Sequence, residues 1–387
     1  MTEAAGKRSY WPFLDGLRGL AVLLVITHNI NAFNGADKFE RIPAVISHAG
    51  WIGVQIFFVL SGFLITHQLL QSRGATNYFS SFYMRRALRI FPLYFLALTI
   101  GLFVVPHFAA IEAENAETFS QAPWLWVFLS NWTQPFHGTV YLFSHFWSLA
   151  VEEQFYLIWP AVIFVCARGA RVLHVCIAIV IIAFVCRCLT MLFDMPTHVA
   201  YMTTVCRMDA LAIGAAAAWL LPSLRGRPEL QVTGNLAWLT CTAALLGCAL
   251  LTRVFDLEQP LTITVGYLVI ALVTGCMILI SCDTYDGAAL PALTRRVMSV
   301  SVLRSVGRYS YAMYVIHFPL LLLTERPARS ALASAGLDSP VIFLAAFTFL
   351  TYLLGVVSYH LFERHFLALK LRFVAHREPA HAGGAAS

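Results

Sequence analysis

The chain has 387 residues, of which 59% are hydrophobic and 12% are charged. Soluble domains average about 25% charged residues, and the shortage here extends along the whole chain, so the composition excludes a soluble domain with a single anchor. The formal net charge of +6 predicts no nucleic-acid partner, because basic residues are expected in the cytoplasmic loops of a membrane protein.

Runs of roughly 20 apolar residues are typical of transmembrane helices, and here they predict an all-α integral membrane protein with about ten such helices. The segment "PWLWVFLSNW" (123–132) is too short to cross and is predicted to be interfacial or re-entrant. The predicted spans are 14–34, 50–71, 90–110, 145–167, 172–193, 207–222, 235–252, 263–282, 310–325 and 341–363.

The distribution of the 26 Lys and Arg residues predicts the orientation, because cytoplasmic loops carry the excess of positive charge. Both termini are expected in the cytoplasm. This layout predicts a cytoplasmic N-terminus over 1–13, a membrane domain over 14–363 and a cytoplasmic tail over 364–387 whose end is disordered. The expected location is the plasma (inner) membrane, which the protein would cross several times within the lipid bilayer.

The first predicted span, "FLDGLRGLAVLLVITHNINAF" (13–33), carries ionisable groups. Asp15 and Arg18 are three residues apart, so they can pair on one helix face near the cytoplasmic end. His28 lies roughly 15 Å further along the axis. An ionisable group near the bilayer centre costs about 2.5–3.5 kcal/mol, which indicates a function. His28 is either a hydrogen-bonded histidine between packed helices or a general base or acyl acceptor.

The segment "SSFYMRRALRIFPLYF" (80–95) places Arg85, Arg86 and Arg89 at the predicted cytoplasmic mouth of the third span. Such residues can simply anchor the helix at the membrane surface. Arg85 and Arg89 share a helix face, however, and guanidinium groups bind phosphate in a bidentate manner. A cytosolic nucleotide or coenzyme A is therefore a predicted ligand.

The segment "HFWSLAVEEQFYLIWP" (145–160) carries two adjacent carboxylates, Glu152 and Glu153, in the predicted fourth span. Carboxylates at this depth are costly unless they are paired or line a polar cavity. His145, Ser148 and Glu152 follow the spacing of one helical stripe. We therefore predict that these three side chains line a reaction site.

Other polar positions give weaker signals. Arg207 and Asp209 are predicted to form a structural pair at the outer end of the sixth span, and His317 lies alone in the ninth. Gly53, Ser61 and Gly62 are small residues suited to close helix approach. The nine cysteines have no C-x-x-C spacing, so neither a metal site nor a disulfide framework is predicted.

Six strings in this order resemble the acyltransferase 3 family of integral membrane enzymes. They are "LDGLRGLAVLLV" with the histidine that follows it, "FFVLSGFLIT", "RRALRIFPLY", "WSLAVEEQFYLIWP", "RMDALAIGA" and "YSYAMYVIHFP", and they extend from residue 13 to about residue 320. The resemblance implies O-acyl transfer from a cytosolic acyl-CoA, most often acetyl-CoA, to a hydroxyl of an extracytoplasmic carbohydrate or glycolipid.

The resemblance also implies roles for individual residues. His28 matches the essential histidine of the first span, and Arg18 matches the basic residue before it. Arg86 and Arg89 match the R-x-x-R pair implicated in holding acyl-CoA. The remaining matches are Ser148 and Glu152 in the W-S-L-x-V-E motif and His317 near the end of the common core.

Two positions depart from the family pattern. Nine residues separate Arg18 from His28 where the family has ten, so at about 100° per residue Asn29 takes the position aligned with Arg18. Gln55 replaces an acidic residue found in many members. Many relatives also carry a hydrolase-like domain after the last span, whereas this chain is expected to be a stand-alone member.

The predicted mechanism assigns each part of the reaction to a different depth in the membrane. Arginines hold the phosphates of acyl-CoA at the cytoplasmic face, the thioester approaches His28, and the acceptor enters from the outer side. Three alternatives stay open. The protein could hand the acyl group to a separate extracytoplasmic transferase, could be a secondary transporter with intramembrane polar residues, or could be a non-catalytic scaffold.

Overall fold

A computed structural model of the protein describes residues 10–31, 33, 41–107, 115–138, 140–224, 259–282, 289–337 and 339–376, together with 227, 232, 235–236, 239–240 and 243. These residues contain no β-strand, which confirms the all-α prediction. The longer α-helices are α1 (Pro12–Ile30), α2 (Arg41–Ala49), α3 (Ile52–Ser72), α4 (Tyr78–Thr99), α5 (Asn115–Trp126), α6 (Ser130–His137), α7 (Trp147–Cys166), α8 (Arg171–Leu192), α9 (Thr197–Met202), α10 (Thr204–Leu224), α11 (Tyr267–Cys282), α12 (Ala289–Met298), α13 (Ser301–Ser334), α14 (Pro340–Ser358) and α15 (Arg364–Leu369).

Eight helical stretches within these ranges are long and apolar enough to cross a membrane, as a multi-pass protein requires. The predicted span at 310–325 falls inside the 34-residue helix α13. That helix is not one of the eight, because polar and charged side chains lower its hydropathy. The predicted span at 235–252 lies almost wholly outside the described residues. The eight stretches are Pro12–Ile30, Ile52–Ser72, Tyr78–His107, Tyr141–Cys166, Arg171–Leu192, Thr197–Leu224, Thr262–Cys282 and Pro340–Phe373.

The helix that carries the arginine cluster begins earlier than the hydropathy pattern indicates. The sequence predicts a third span at 90–110 with the arginines at its mouth, but α4 begins at Tyr78 and places all three inside the helix. The predicted interfacial segment 123–132 falls on α5 and α6, which are short helices of 12 and 8 residues.

Close backbone contacts fix the helices that carry the polar residues. A Cβ atom added at Gly62 of α3 would lie 1.9 Å from the Leu211 carbonyl oxygen of α10, and one at Gly307 of α13 would lie 1.7 Å from the Asp15 carbonyl oxygen of α1. Neither position can accept a side chain without moving a helix, since real Cβ atoms do not approach an oxygen this closely. The predicted role of Gly62 in close helix approach is confirmed.

Helices α1 and α3 are antiparallel. Trp11, just before α1, packs against His67 near the end of α3, with ring centroids 4.9 Å apart. Gly50, just before α3, faces His28 near the end of α1. We call the end of the bundle where α1 and α4 begin and α3 ends the basic end.

The C-terminal helices extend beyond the predicted membrane domain. Helix α14 continues through a π-helical turn (Tyr359–Glu363), α15 and a 3-10 turn (Lys370–Phe373). The boundary expected between residues 363 and 364 therefore falls inside a continuous helical stretch. The end of the expected disordered tail, residues 377–387, lies outside the described residues.

A buried ion pair joins α8 to α10, and it differs from the predicted one. Arg187 Nη1 lies 2.8 Å from Asp209 Oδ2, and both side chains are fully buried. The predicted pairing of Arg207 with Asp209 is wrong, because residues two apart on a helix point to different sides. Arg207 instead lies over the Tyr267 ring, 4.1 Å from its centroid. The Arg187–Asp209 pair therefore joins α8 to α10, and the Arg207 guanidinium packs against aromatic rings.

We expect Asp209→Asn to destabilise the protein by about 3 kcal/mol, because losing one partner of a buried ion pair leaves the other charge uncompensated. The measurement is the thermal unfolding midpoint of the detergent-purified protein. Glu325→Gln is the matched control, since the Arg329–Glu325 pair is about one-third exposed and such pairs contribute roughly 0–1 kcal/mol. Equal midpoints for the two variants would contradict the prediction.

Candidate active site

A cavity of about 70 Å³ lies among α1, α3, α4, α7 and α13. Polar and charged side chains from all five helices reach it, although its surroundings are apolar. A polar cavity inside an apolar bundle is the usual setting for function in a membrane protein. The polar lining residues are Arg18, Ser61, Arg86, Arg89, Ser148, Glu152, Tyr156, Ser310, Tyr311 and Tyr314.

A second cavity, of about 190 Å³, lies next to the first at the basic end. Its lining includes Tyr10, Asp15 and Arg85, and Arg18 lines both cavities. Polar side chains therefore extend from the basic end into the bundle, with Arg18 shared by both cavities, and we call this series the polar route.

The arginines are not all directed to one place. Arg86 and Arg89 of α4 line the central cavity with Arg18, whereas Arg85 lines the cavity at the basic end. The Arg86 guanidinium lies 5.3 Å from the centroid of the Tyr156 ring. The predicted cluster is thus divided between two cavities that share Arg18 in their linings, and a long ligand with several phosphates could contact both groups of arginines.

Asp15 does not pair with Arg18 as the sequence predicts. Its Oδ2 atom accepts a hydrogen bond of 2.5 Å from the Tyr10 hydroxyl, and no Asp15–Arg18 ion pair occurs in the described part of the chain. The Arg18 charge is therefore left to face the two cavities.

Glu152 is the carboxylate of the central cavity. Its Oε1 atom accepts a 2.7 Å hydrogen bond from Ser61, and its Oε2 atom accepts a 2.9 Å hydrogen bond from Tyr156. Both oxygens are thus held in place while the arginines provide positive charge nearby. Ser61, which the sequence analysis treats as a small packing residue, is a hydrogen-bond donor to this site.

Glu153 differs from its neighbour, because consecutive helical residues point in different directions. It does not line the central cavity. Its Oε1 atom is buried and has no hydrogen-bond partner among the described residues. The two adjacent carboxylates therefore do not form one catalytic pair.

Ser148 and Tyr314 form a hydroxyl pair at the edge of the cavity. Their oxygens are 2.6 Å apart, and the Tyr314 hydroxyl also donates to the His145 carbonyl oxygen at 2.8 Å. Since Tyr314 has one proton, Ser148 donates to Tyr314 in the consistent assignment. This chain of hydrogen bonds connects the cavity to the backbone of His145.

The imidazole rings of His145 and His317 meet beyond this hydroxyl pair, with centroids 5.0 Å apart. Both are buried. Neither ring nitrogen of His145 has a hydrogen-bond partner among the described residues. His145 does not line the central cavity as the sequence predicts; it lies behind the Ser148–Tyr314 pair.

Both ring nitrogens of His317 have hydrogen-bond partners. Its Nδ1 atom lies 2.7 Å from the Tyr314 carbonyl oxygen, which can only accept, so Nδ1 is the protonated nitrogen. Its Nε2 atom lies 2.9 Å from the amide nitrogen of Asn29. Asn29 thus occupies the inward position that the helical spacing from Arg18 predicts for residue 29.

His28 lies near the end of α1, away from the lining of the two cavities. Its Nδ1 atom is 3.0 Å from the Ser47 carbonyl oxygen of α2 and donates to it. This bond leaves Nε2 as the unprotonated nitrogen. The side chain therefore presents a base at the opposite end of the bundle from the arginines.

The sequence analysis does not identify Tyr314, and it does not predict the contact of Asn29 with His317. Tyr311, Tyr314 and His317 are spaced by three residues, so the helical period alone places them on one face, and that signal identifies Tyr314. Asn29 was recognised as the aligned residue, but its contact with His317 spans 288 positions. No local pattern predicts such a contact.

No group of three His, Cys, Asp or Glu side chains that could hold a metal ion occurs among the residues that the structure describes. The seven described cysteines are free, namely Cys166, Cys176, Cys186, Cys188, Cys206, Cys276 and Cys282. The site is thus built from arginine, hydroxyl, carboxylate and imidazole groups.

The fold and the site define a multi-pass helical membrane protein with a charged cavity enclosed between its helices. The model of the acyltransferase domain matches residues 11–360, and the chain belongs to this acyltransferase 3 family. The family expectation is thereby confirmed over most of the chain.

The curated relatives include peptidoglycan O-acetyltransferase OatA of Listeria monocytogenes, which is 30% identical over 336 residues, 82% of this chain and 50% of that protein. YrhL of Bacillus subtilis is 31% identical over 377 residues, 92% of this chain and 54% of that protein. O-acetyltransferase OatA of Staphylococcus aureus is 25% identical over 332 residues, 82% of this chain and 51% of that protein.

The chain spans about half the length of these relatives. No solved structure matches it.

Proposed function

We propose that the protein is a membrane-embedded O-acyltransferase that moves an acetyl group from cytosolic acetyl-CoA to a hydroxyl of an extracytoplasmic glycan. The single observation that carries this proposal is the polar route from Arg85 through Arg18 to Glu152. A phosphate-binding entrance that leads to a carboxylate and hydroxyls, with the imidazole of His145 behind them, suits acyl transfer from a phosphate-bearing thioester.

The donor binds at the basic end in this proposal. Arg85 and Arg18 contact the phosphates, because arginine binds phosphate in a bidentate manner. Arg86 and Arg89 extend the positive surface into the central cavity. The pantetheine arm then lies along the cavity, and its thioester approaches Ser148 and Tyr314. The basic end faces the cytoplasm in this arrangement, in agreement with the predicted orientation.

Acyl transfer requires a base and a leaving group. The imidazole of His145 is the candidate base beside the donor: its unprotonated nitrogen attacks the thioester and carries the acetyl group as an acyl-imidazole, and the acceptor hydroxyl, deprotonated by His28, then displaces the imidazole to form the acetyl ester. The CoA thiolate leaves and takes up a proton. Glu152 balances the positive charge of Arg18 and Arg86 and, through Ser61 and Tyr156, stays in place. His317 packs against the His145 ring and orients it, while Asn29 holds His317 in place.

The acceptor enters from the opposite end, where the Nε2 atom of His28 is unprotonated. We propose that His28 acts on the acceptor hydroxyl and not on the thioester, because it lies near the end of α1, at the end of the bundle opposite the arginines. The names of all three relatives specify O-acetyl transfer, and two of the names specify peptidoglycan, which supports a glycan such as peptidoglycan as the acceptor.

We expect Arg86→Ala/Arg89→Ala to raise the KM for acetyl-CoA at least tenfold, because each charge-assisted contact to a phosphate contributes about 1.5–3 kcal/mol. The measurement is release of CoA from acetyl-CoA by the detergent-purified protein. Arg171→Ala is the matched control, since Arg171 is an exposed residue at the start of α8.

The outcomes of this experiment separate the alternatives. Failure of the wild-type protein to bind acetyl-CoA would contradict the proposal and favour a transporter. Turnover of acetyl-CoA with transfer to a glycan only when a second protein is added would favour the hand-off of the acetyl group to a separate transferase.

A further inference from the structure

The C-terminal segment, residues 363–376, lies against the beginning of α4, the helix that carries the arginines. Asn77 Nδ2 donates a 2.8 Å hydrogen bond to the Val374 carbonyl oxygen, and Asn77 Oδ1 accepts a 2.9 Å hydrogen bond from the His376 N–H. The Ser81 hydroxyl donates to the Phe373 carbonyl oxygen at 3.0 Å. Three successive attachments therefore hold residues 373–376 beside the first turn of α4.

This attachment brings Lys370 to the arginine cluster. Lys370 is half-buried, three residues before Phe373. Its ammonium group is repelled electrostatically by Arg89, Arg86, Arg85 and Arg18. A lysine that only anchored the helix at the membrane surface would have no need to face four arginines. Arg372, two residues further along, is exposed, as a residue with only that role would be.

Lys370 thus adds a positive charge near the arginines of α1 and α4, and such like charges repel one another unless an anion binds near them. The acidic groups near these cations are Asp15, Glu152, Glu153 and Glu363, so their positive charge is partly offset. No ion pair of Arg18, Arg86, Arg89 or Lys370 with a carboxylate occurs within the described ranges. An anion with several negative charges would balance them.

We infer that Lys370 is a fifth ligand to the phosphates of the CoA donor, and that Asn77 positions it by tying the C-terminal segment to α4. The inference rests on the proposed function, because it specifies the donor site of that reaction. Lys370 lies beyond residues 11–360, which the family model matches, so no family motif assigns it a role. The C-terminal segment is thus part of the binding site and not a free tail.

The test is CoA binding to the full-length protein in detergent, measured by isothermal titration. We expect Lys370→Gln to weaken CoA binding about tenfold, which corresponds to the loss of one charge-assisted contact, and Lys370→Arg to retain most of the affinity. Arg372→Gln is the matched control on the same segment and should bind CoA as the wild type does. Dephospho-CoA, which lacks the 3′-phosphate, is the second probe.

The second probe identifies the phosphate that Lys370 contacts. If Lys370→Gln weakens binding of CoA but not of dephospho-CoA, Lys370 contacts the 3′-phosphate. If it weakens binding of both, Lys370 contacts the diphosphate. Equal affinity of Lys370→Gln and the wild type for both probes would overturn the inference.

Asn77→Ala tests the positioning role separately. It should weaken CoA binding in the wild-type background but add little to Lys370→Gln, because residues that act through one another are not additive. Ser80→Ala is its control, since the Ser80 hydroxyl bonds only to the local carbonyl oxygen of Asn77. Full additivity of Asn77→Ala and Lys370→Gln would contradict the positioning role.

These variants distinguish failure of the inference from failure of the proposed function. If the wild-type protein binds no CoA, the proposed function fails. If the wild type binds CoA and Arg86→Ala/Arg89→Ala weakens that binding while Lys370→Gln does not, only the inference about Lys370 fails.

Discussion

Replacement of His145 by asparagine is expected to lower the kcat of acetyl transfer by about a thousandfold, within the range of general acid–base catalysis. Among the described residues, neither ring nitrogen of His145 has a hydrogen-bond partner, so the substitution removes a base without breaking an existing side-chain bond. The hydrogen bond from Tyr314 goes to the His145 carbonyl oxygen and should survive. The KM for acetyl-CoA should change little, because the arginines hold the donor.

The measurement compares two reactions, release of CoA from acetyl-CoA and acetyl transfer to a glycan acceptor. His145→Asn should abolish both, whereas His28→Asn should abolish only the second, because His28 lies at the end of the bundle opposite the arginines. His174→Asn is the control, since His174 is an exposed residue of α8. CoA release by His145→Asn at more than a tenth of the wild-type rate would assign the donor-side base to another residue.

Glu152→Gln is expected to lower acetyl transfer by about a hundredfold. The substitution removes the negative charge that faces Arg18 and Arg86 in the cavity. It also replaces one accepting oxygen by an NH₂ donor, so the side chain can no longer accept hydrogen bonds from both Ser61 and Tyr156. The cavity would then hold an excess of positive charge and a displaced side chain.

The effect of the lost charge and the effect of the lost hydrogen bonds can be separated by smaller substitutions. Ser61→Ala and Tyr156→Phe each remove one of the two hydrogen bonds to Glu152 and leave its charge in place, so each should lower the rate by less than Glu152→Gln. Asp194→Asn is the control, because Asp194 is exposed and lines neither cavity. A Glu152→Gln variant with the wild-type kcat would restrict the carboxylate to a structural role.

The arginine cluster shows how far hydropathy alone predicts the site. The sequence identifies Arg85, Arg86 and Arg89 and the ligand class that suits them. It places them at a helix mouth, because apolar runs mark the part of a helix inside the membrane and not the part that continues beyond it. Helix α4 starts at Tyr78, so the arginines point from inside a helix into two different cavities.

The histidines show a different limit. The nine-residue spacing from Arg18 predicts that His28 turns away from the aligned face, and in α1 it is Asn29 that contacts His317. Periodicity within one helix is therefore sufficient to say which residue faces inward. It does not say what that residue meets, because the partner comes from α13.

The sequence by itself determined the membrane class, the helical fold, the family and most of the charged residues of the site. These properties depend on composition, on local periodicity and on motifs along the chain. Only the tertiary structure decided which charges meet, that Asp209 pairs with Arg187 and not with Arg207, that Ser61 serves Glu152, and that Lys370 joins the arginines. Such contacts join residues from separate helices, and their partners are fixed by how the helices pack, which no local pattern records.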